Sequence, residues 1–328
     1  MGELMGTRSA AWSDGFNFPG GVALGVLRSK QLVFTLYGDY VRRVGGSIWV
    51  NSLIRLLVHF QMSEQSVRST LLRMTRGDWL QAERVNGKSF YSLTLAGKRL
   101  LDEGAARIFN PPQPVQWDGK WRLVAYSIPE TQRVKRERLR HELGYLGFGT
   151  FTNTLWISPH DLRCQVELLM EQLELKGNLE FYTASHDGFT DLAELVARCW
   201  DLPSINAQYA AFIEKYQPQY DECCANLATI EPSECFVRRF MLIHEYRRFP
   251  FVDPELPTEL LPSDWHGQQA AKLFQGYHER LADKANAFFE SVFVGPPSRQ
   301  TVGTDVSGAA PCPTLQAEKV ALASTRSQ

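Results

Sequence analysis

Long hydrophobic runs are missing from this sequence: no apolar stretch approaches the ~20 residues that a membrane-spanning helix needs. The first 28 residues lack a charged segment followed by a sustained apolar one, because "GGVALGVL" is short and broken by glycine. A secretory signal is therefore not expected, and a cytoplasmic address without membrane contact is the default. Cysteine is scarce, with six residues (Cys164, Cys199, Cys223, Cys224, Cys235 and Cys312), no C-x-x-C pair and no histidines at zinc spacing. The thiols read as reduced and mostly structural, and the vicinal Cys223 and Cys224 alone are a weak redox signal. No G-x-S-x-G elbow, G-x-x-x-x-G-K-S/T loop or H-E-x-x-H motif occurs, so common hydrolase, phosphate-loop and metalloprotease chemistries lack their residues. No catalytic residue, metal or cofactor is expected, and there is no internal repeat.

What is present is an uneven distribution of charge. The chain of 328 residues is nearly neutral, at −1. Residues 29–108 nevertheless hold 12 Lys/Arg against 6 Asp/Glu, while everything from residue 109 onward carries −7. A basic N-terminal unit joined to an acidic remainder is the pattern expected when one unit meets a polyanion. The proline-rich "FNPPQPVQWDG" (109–119) reads as a linker. Residues 1–28 read as a flexible leader, and residues 295–328, rich in small and polar residues, as a disordered tail.

Within the basic unit, "SKQLVFTLYGDYVRR" (29–43) and "SIWVNSLIRLLVHF" (47–60) each carry helical periodicity. Ser63 is a good N-cap for a third helix, in which Val67, Thr70, Leu71 and Met74 follow i, i+3, i+4, i+7 and face inward. At ~100° per residue, Gln65, Ser69, Arg73 and Arg76 point the other way, with Arg68 at one flank and Leu72 also on the outer side. Gly77 closes the helix, and Asn86-Gly87 between two strand-like runs signals a tight hairpin, with Arg84 and Lys88 near its tip. Thr94 then caps "LAGKRLLDEGAARIF" (95–109).

Three helices, a hairpin and a further helix predict a winged helix-turn-helix, whose third helix enters the major groove of double-stranded DNA. Gln65, Ser66, Arg68, Ser69, Arg73, Arg76, Arg84 and Lys88 are the candidate DNA-contacting residues. A protein-interaction module with solvated arginines is the alternative, and the charge asymmetry favours DNA.

Downstream, residues 120–190 alternate strand, helix, strand-like "GTFTNTLWISP", helix and strand, which predicts a small ferredoxin-like α/β domain. Arg133, Lys135, Arg136, Arg138 and Arg140 crowd its first helix. They are either a solvated interface face or partners for phosphates of DNA or a ligand. Residues 191–294 read as helical. In "SECFVRRFMLIHEYRRF", Phe236, Val237, Phe240, Met241 and Ile243 form one apolar arc, and Leu242, Tyr246 and Phe249 lie opposite. Such a helix is buried, so His244, Arg247 and Arg248 at its end need anionic partners. Either Asp253 or Glu255 pairs with these arginines, or an anionic ligand does, with Tyr246 and Trp265 near an aryl pocket.

The segments "LYGDYVRRVGGSIWVNSLIRLLVHFQMSEQSVRSTLLRMTRGDWLQAERVNGKSFYSLTLAGKRL", "WDGKWRLVAYSIPE" and "CFVRRFMLIHEYRRFPFVDPELPTELLPSDWHG" together span roughly residues 29–290. Along them the chain resembles the PaaX family, repressors of bacterial phenylacetate catabolism. The winged-helix part is generic, and the "LIHEYRR…DPELPTELLP" block is far more specific. The resemblance implies an α+β multidomain protein with a Cas2-like central domain, a homodimer on a palindromic operator, and release by an aryl-CoA effector such as phenylacetyl-CoA. On that reading the effector candidates are His244, Tyr246, Arg247, Arg248 and Trp265. The Cas2 likeness also raises a rival, a metal-dependent nuclease, or else another acyl-CoA-binding enzyme. The place of the nuclease aspartate after the first strand is held here by Ser127, a poor metal ligand, with Glu130 close by.

Overall fold

The computed structural model of the protein describes residues 29–109 and 116–297. The expected leader, the centre of the expected linker and the expected tail beyond residue 297 lie outside the described residues. The N-terminal unit runs α1 (Ser29–Asp39), a 3-10 turn (Val41–Val44), β1 (Ser47–Trp49), α2 (Val50–Leu57), α3 (Glu64–Arg76), β2 (Leu80–Val85), β3 (Lys88–Leu93) and α4 (Leu95–Phe109). Its three strands form an antiparallel sheet in the order β1-β3-β2.

Local chemistry accounts for most of these boundaries. The Ser63 side chain accepts the Ser66 N–H at 3.2 Å and starts α3. Asn86 and Gly87 both take positive φ, at 50° and 77°, so Val85 and Lys88 close the hairpin directly. Gly97 opens α4 against the Trp79 carbonyl, where a Cβ would lie 2.4 Å from that oxygen. The helix expected over 47–60 begins only at Val50. Ser47–Trp49 instead pair with Ser92–Phe90, leaving Ile48 fully buried. Three residues are too few for periodicity to separate strand from helix.

The central unit runs β4 (Trp121–Tyr126), α5 (Arg133–Tyr145), β5 (Gly149–Thr152), β6 (Leu155–Ser158), α6 (Arg163–Gln172) and β7 (Leu179–Ala184). Its antiparallel order β5-β6-β4-β7 is the split βαβ arrangement of ferredoxin-like sheets. The single strand expected at 149–159 is a hairpin turning at Asn153 and Thr154. Neither residue is glycine or proline, so the usual turn signal is missing. One face of the sheet, with Val124, Tyr126 and Trp156, packs on Leu139 and Leu143 of α5 and Leu169 of α6. Trp121 and Ile157 on the other face pack on Leu195, Trp200 and Leu260.

The remaining helices are α7 (Leu192–Cys199), α8 (Leu202–Asn226), α9 (Pro232–Tyr246), α10 (Phe249–Val252), α11 (Gly267–Arg280) and α12 (Ala282–Val292). Among the described residues no helix is long and apolar enough to cross a membrane.

The N-terminal unit and the C-terminal helices share one hydrophobic core. Helix α1 is buried on nearly all sides because it packs on α3 and α9 together. Phe60 stacks on Phe240 at 4.0 Å, and Tyr40 contacts Phe236 and Phe289, each at 5.1 Å. Backbone and side chain seal the same junction. The Trp49 N–H donates to the Val294 carbonyl at 2.9 Å, and the Ser52 hydroxyl to the Val292 carbonyl at 2.7 Å.

Truncating Phe240 to alanine is expected to cost ~3–5 kcal/mol of unfolding free energy in urea titrations. Phe60→Ala is expected to cost a comparable amount, and the double variant less than the sum, because the two rings stabilise the same junction.

Candidate nucleic-acid interface

Helix α3 carries two stripes of i, i+3, i+4, i+7 spacing on opposite sides. Val67, Thr70, Leu71 and Met74 are buried and fasten the helix to the unit. Gln65, Arg68, Ser69 and Leu72 are exposed and, with Glu64, line a shallow depression of about 510 Å³. Arg73 and Arg76 are exposed on the same helix, and Arg84 and Lys88 are exposed on the hairpin. Ser66 differs from the rest: it is half-buried, and its hydroxyl lies 3.4 Å from that of Ser29 on α1.

Several of these side chains are held in place. Arg68 Nε donates to Glu64 Oε1 at 2.8 Å, Arg73 donates to the Thr70 hydroxyl at 3.1 Å, and Lys88 Nζ stands 4.7 Å from the Trp49 ring centre. The exposed Arg68–Glu64 pair adds little stability, so Arg68 can exchange Glu64 for another acceptor at small cost.

Trp265 stands apart from the other four effector candidates, which lie at the end of α9. His244 is buried against α1, its Nδ1 lying 2.9 Å from the Thr35 hydroxyl. Because that hydroxyl donates to the Gln31 carbonyl, Nδ1 carries the proton and donates to it. Tyr246 stacks face to face on Phe274 at 3.9 Å. Arg248 lies over Phe249, with its Nε buried and unpaired among the described residues. Trp265 packs edge-on to Tyr209 and borders a groove of about 530 Å³ with Gln217, Tyr220 and Lys272, which the other four do not line.

Neither acidic partner expected for the arginines is used. Asp253 accepts from the Tyr209 hydroxyl at 2.8 Å and from the Glu255 N–H. The Arg247 side chain is buried, makes no ion pair or hydrogen bond with any described residue, and has its pKa pushed down to about 10 by burial alone.

An ionic network outside the expected sites joins α1 to the C-terminal helices. Asp39 at the end of α1 is fully buried, with Arg239 Nη1 of α9 at 2.9 Å, His278 Nε2 of α11 at 3.1 Å and Arg43 at 3.3 Å. The Arg239 contact to Oδ2 is ionic rather than an aligned hydrogen bond. Arg239 also donates to the His278 carbonyl at 3.2 Å and lies over Tyr40. Burial works to raise the Asp39 pKa, yet the His278 hydrogen bond and the Arg239 charge outweigh it and hold the carboxylate ionised. A signal for this network was available: Arg239 falls on the apolar arc of Phe236, Phe240 and Ile243, where a lone charge demands a partner.

In the central unit, Arg136 pairs with Glu130 at 2.8 Å and Lys135 with Glu174 at 3.0 Å. The carboxylate nearest the nuclease position is thus already engaged, and among the described residues no cluster of His, Cys, Asp and Glu is arranged to hold a metal ion.

Three family models match the chain: "PaaX-like protein" over residues 28–97, "PaaX protein central Cas2-like domain" over 114–196, and "PaaX-like protein C-terminal domain" over 200–291. The transcriptional repressor PaaX of Escherichia coli (strain K12) is 34% identical over 261 residues, covering 79% of this chain and 82% of that protein. The chain belongs to the PaaX family. Among solved structures, the uncharacterized protein Rv0674 of Mycobacterium tuberculosis superposes with a TM-score of 0.55 at 19% identity, covering 80% of this chain and 98% of the other, a likeness of fold alone. In this PaaX-family chain the N-terminal match contains α3 and the hairpin, and the C-terminal match contains Arg239, His244, Arg247 and His278.

The buried histidines set a pH dependence. Burial lowers the pKa values of His160, His244 and His278 below 6.5, so below that pH the unfolded chain binds protons that the folded one refuses. Their contribution is present above 6.5 and is lost as pH falls. Glu255, raised to about 7 by burial and by Asp253, acts oppositely, as does the raised Asp253. With three histidines against two carboxylates, thermal melting is expected at a lower temperature at pH 5.5 than at pH 7.5. His244→Gln is expected to shrink that difference.

Proposed function

We propose that this protein is a cytoplasmic transcriptional repressor of phenylacetate-type catabolic genes, bound as a homodimer to a near-palindromic operator and released by an aryl-CoA thioester such as phenylacetyl-CoA. The observation that carries this reading is the exposed Gln65, Arg68, Ser69, Arg73 stripe of α3 beside a two-residue hairpin on a three-stranded sheet. This supports the reading of the unit as a winged helix-turn-helix, with α3 as recognition helix and the hairpin as wing. Arginine, glutamine and serine are suited to base edges, and the hairpin cations to phosphates. Family membership and the repressor named among its relatives support the same reading. Two such units in a dimer would occupy half-sites about one turn of DNA apart, or a multiple of it.

Release needs an anionic ligand to meet an unpaired cation, and Arg247 has no partner among the described residues. It sits beside His244, which bonds α1 directly, so ligand charge at Arg247 acts on the helix that carries the DNA-binding unit. A hundred-fold loss of DNA affinity requires the ligand to prefer the released form by ~2.7 kcal/mol, within ordinary coupling energies.

Fluorescence anisotropy on DNA upstream of neighbouring catabolic genes, with and without phenylacetyl-CoA, tests the whole reading. Specific binding that the thioester reverses is expected, and indifference to both DNA sequence and thioester contradicts it. Arg68→Ala and Arg73→Ala are expected to weaken specific binding by ~1–3 kcal/mol where the side chain meets a base. Arg247→Gln is expected to keep DNA affinity while blunting release.

A further inference from the structure

Leu72 is out of place on the outer stripe of α3. Half of its surface is exposed, at 51%, although it occupies the i+7 position of a stripe otherwise made of Gln65, Arg68 and Ser69. It belongs to none of the hydrophobic clusters among the described residues, and it borders the depression formed by Glu64, Gln65, Arg68 and Ser69. One helical turn to either side stand the exposed cations Arg68 and Arg76. A helix that merely faced solvent would gain from a polar residue here, since an exposed leucine contributes nothing to its own unit until something covers it.

The occupant is constrained by the charges around it. Arginines one turn away on each side, on a basic unit whose chain is acidic from residue 109 onward, favour a polyanion. On the major-groove edges of DNA, the prominent apolar group is the C5 methyl of thymine. We infer that Leu72 is a specificity-determining residue that packs on a thymine methyl, between base or phosphate contacts made by Arg68 and Arg76. This inference rests on the reading of α3 as the recognition helix. Glu64 fits the same picture: it holds Arg68 at 2.8 Å along the helix in the free protein, so the arginine is already extended over the depression that Leu72 borders.

The experiment begins by selecting the preferred duplex from a random-sequence library with the full-length protein. Each thymine of the selected duplex is then replaced in turn by deoxyuridine, which removes only the methyl group, and affinity is read by anisotropy for the wild type and for Leu72→Ala. At one thymine in each half-site, uracil is expected to weaken wild-type binding about four-fold, the factor associated with burying one methyl group. Leu72→Ala is expected to lose a similar factor on the thymine duplex and nothing further on the uracil duplex. Losses that simply multiply at every position, or no thymine sensitive to its methyl, overturn the inference. Arg68→Ala and Arg73→Ala run in parallel separate the two levels. If they weaken binding while the Leu72 cycle is multiplicative, only the methyl contact is wrong. If they leave specific binding intact, the recognition-helix reading falls and the Leu72 inference with it. Because the Leu72 side chain is exposed, its alanine variant is expected to melt at the wild-type temperature, which excludes unfolding as the cause of a loss.

Discussion

A carboxylate with no exposure to solvent, Asp39, is neutralised by Arg239 and Arg43 and accepts a hydrogen bond from His278, and the placement of the N-terminal unit depends on those contacts. Asp39 ends α1, Arg239 lies midway along α9, and His278 belongs to the last turn of α11. Removing either charge of the central pair strands the other in a low-dielectric interior, which typically costs 3–5 kcal/mol. Aromatic packing shields the pair: Tyr40 lies under the Arg239 guanidinium and itself contacts Phe236 and Phe289. The position of α1, and through it of α3, is therefore set by the C-terminal helices as much as by its own unit.

On the proposed function, this arrangement would supply a physical route between ligand and DNA. His244 and Arg239 lie on the same helix, α9, and both reach α1, one through Thr35 and the other through Asp39. A ligand that moved the end of α9 by engaging Arg247 would press on α1 at two points about one turn apart. Since α3 packs on α1 through its buried stripe, a tilt of α1 carries the outer stripe with it. In the proposed homodimer, two recognition helices would need a fixed separation to occupy both half-sites, so a small tilt in each protomer would suffice to lose affinity.

Features written in neighbouring residues were readable in advance. Ser63 as a cap, the stripe from Val67 to Met74, the Asn86-Gly87 turn and the alternation of the central unit all follow from local spacing. What escaped was short or non-local. Strand β1 spans three residues inside a longer helical pattern, and the β5–β6 turn has no glycine or proline to mark it. The pairing of Arg247 with Asp253 or Glu255 followed from sequence proximity, but the loop turns Asp253 toward Tyr209 on α8. The Asp39–Arg239 pair joins residues 200 positions apart, which no window of sequence can associate. The continuity of one core between the N-terminal unit and the C-terminal helices is invisible for the same reason.

Hydrogen exchange resolved by residue tests most directly whether the N-terminal unit and the C-terminal helices behave as one body. Amides of Leu36 and Tyr37 in α1 and of Phe240 and Leu242 in α9 are expected to open with the same free energy, and Arg239→Ala to lower both together. Exchange of α1 at a distinctly lower free energy, with α9 still protected and Arg239→Ala affecting only one of them, would contradict it.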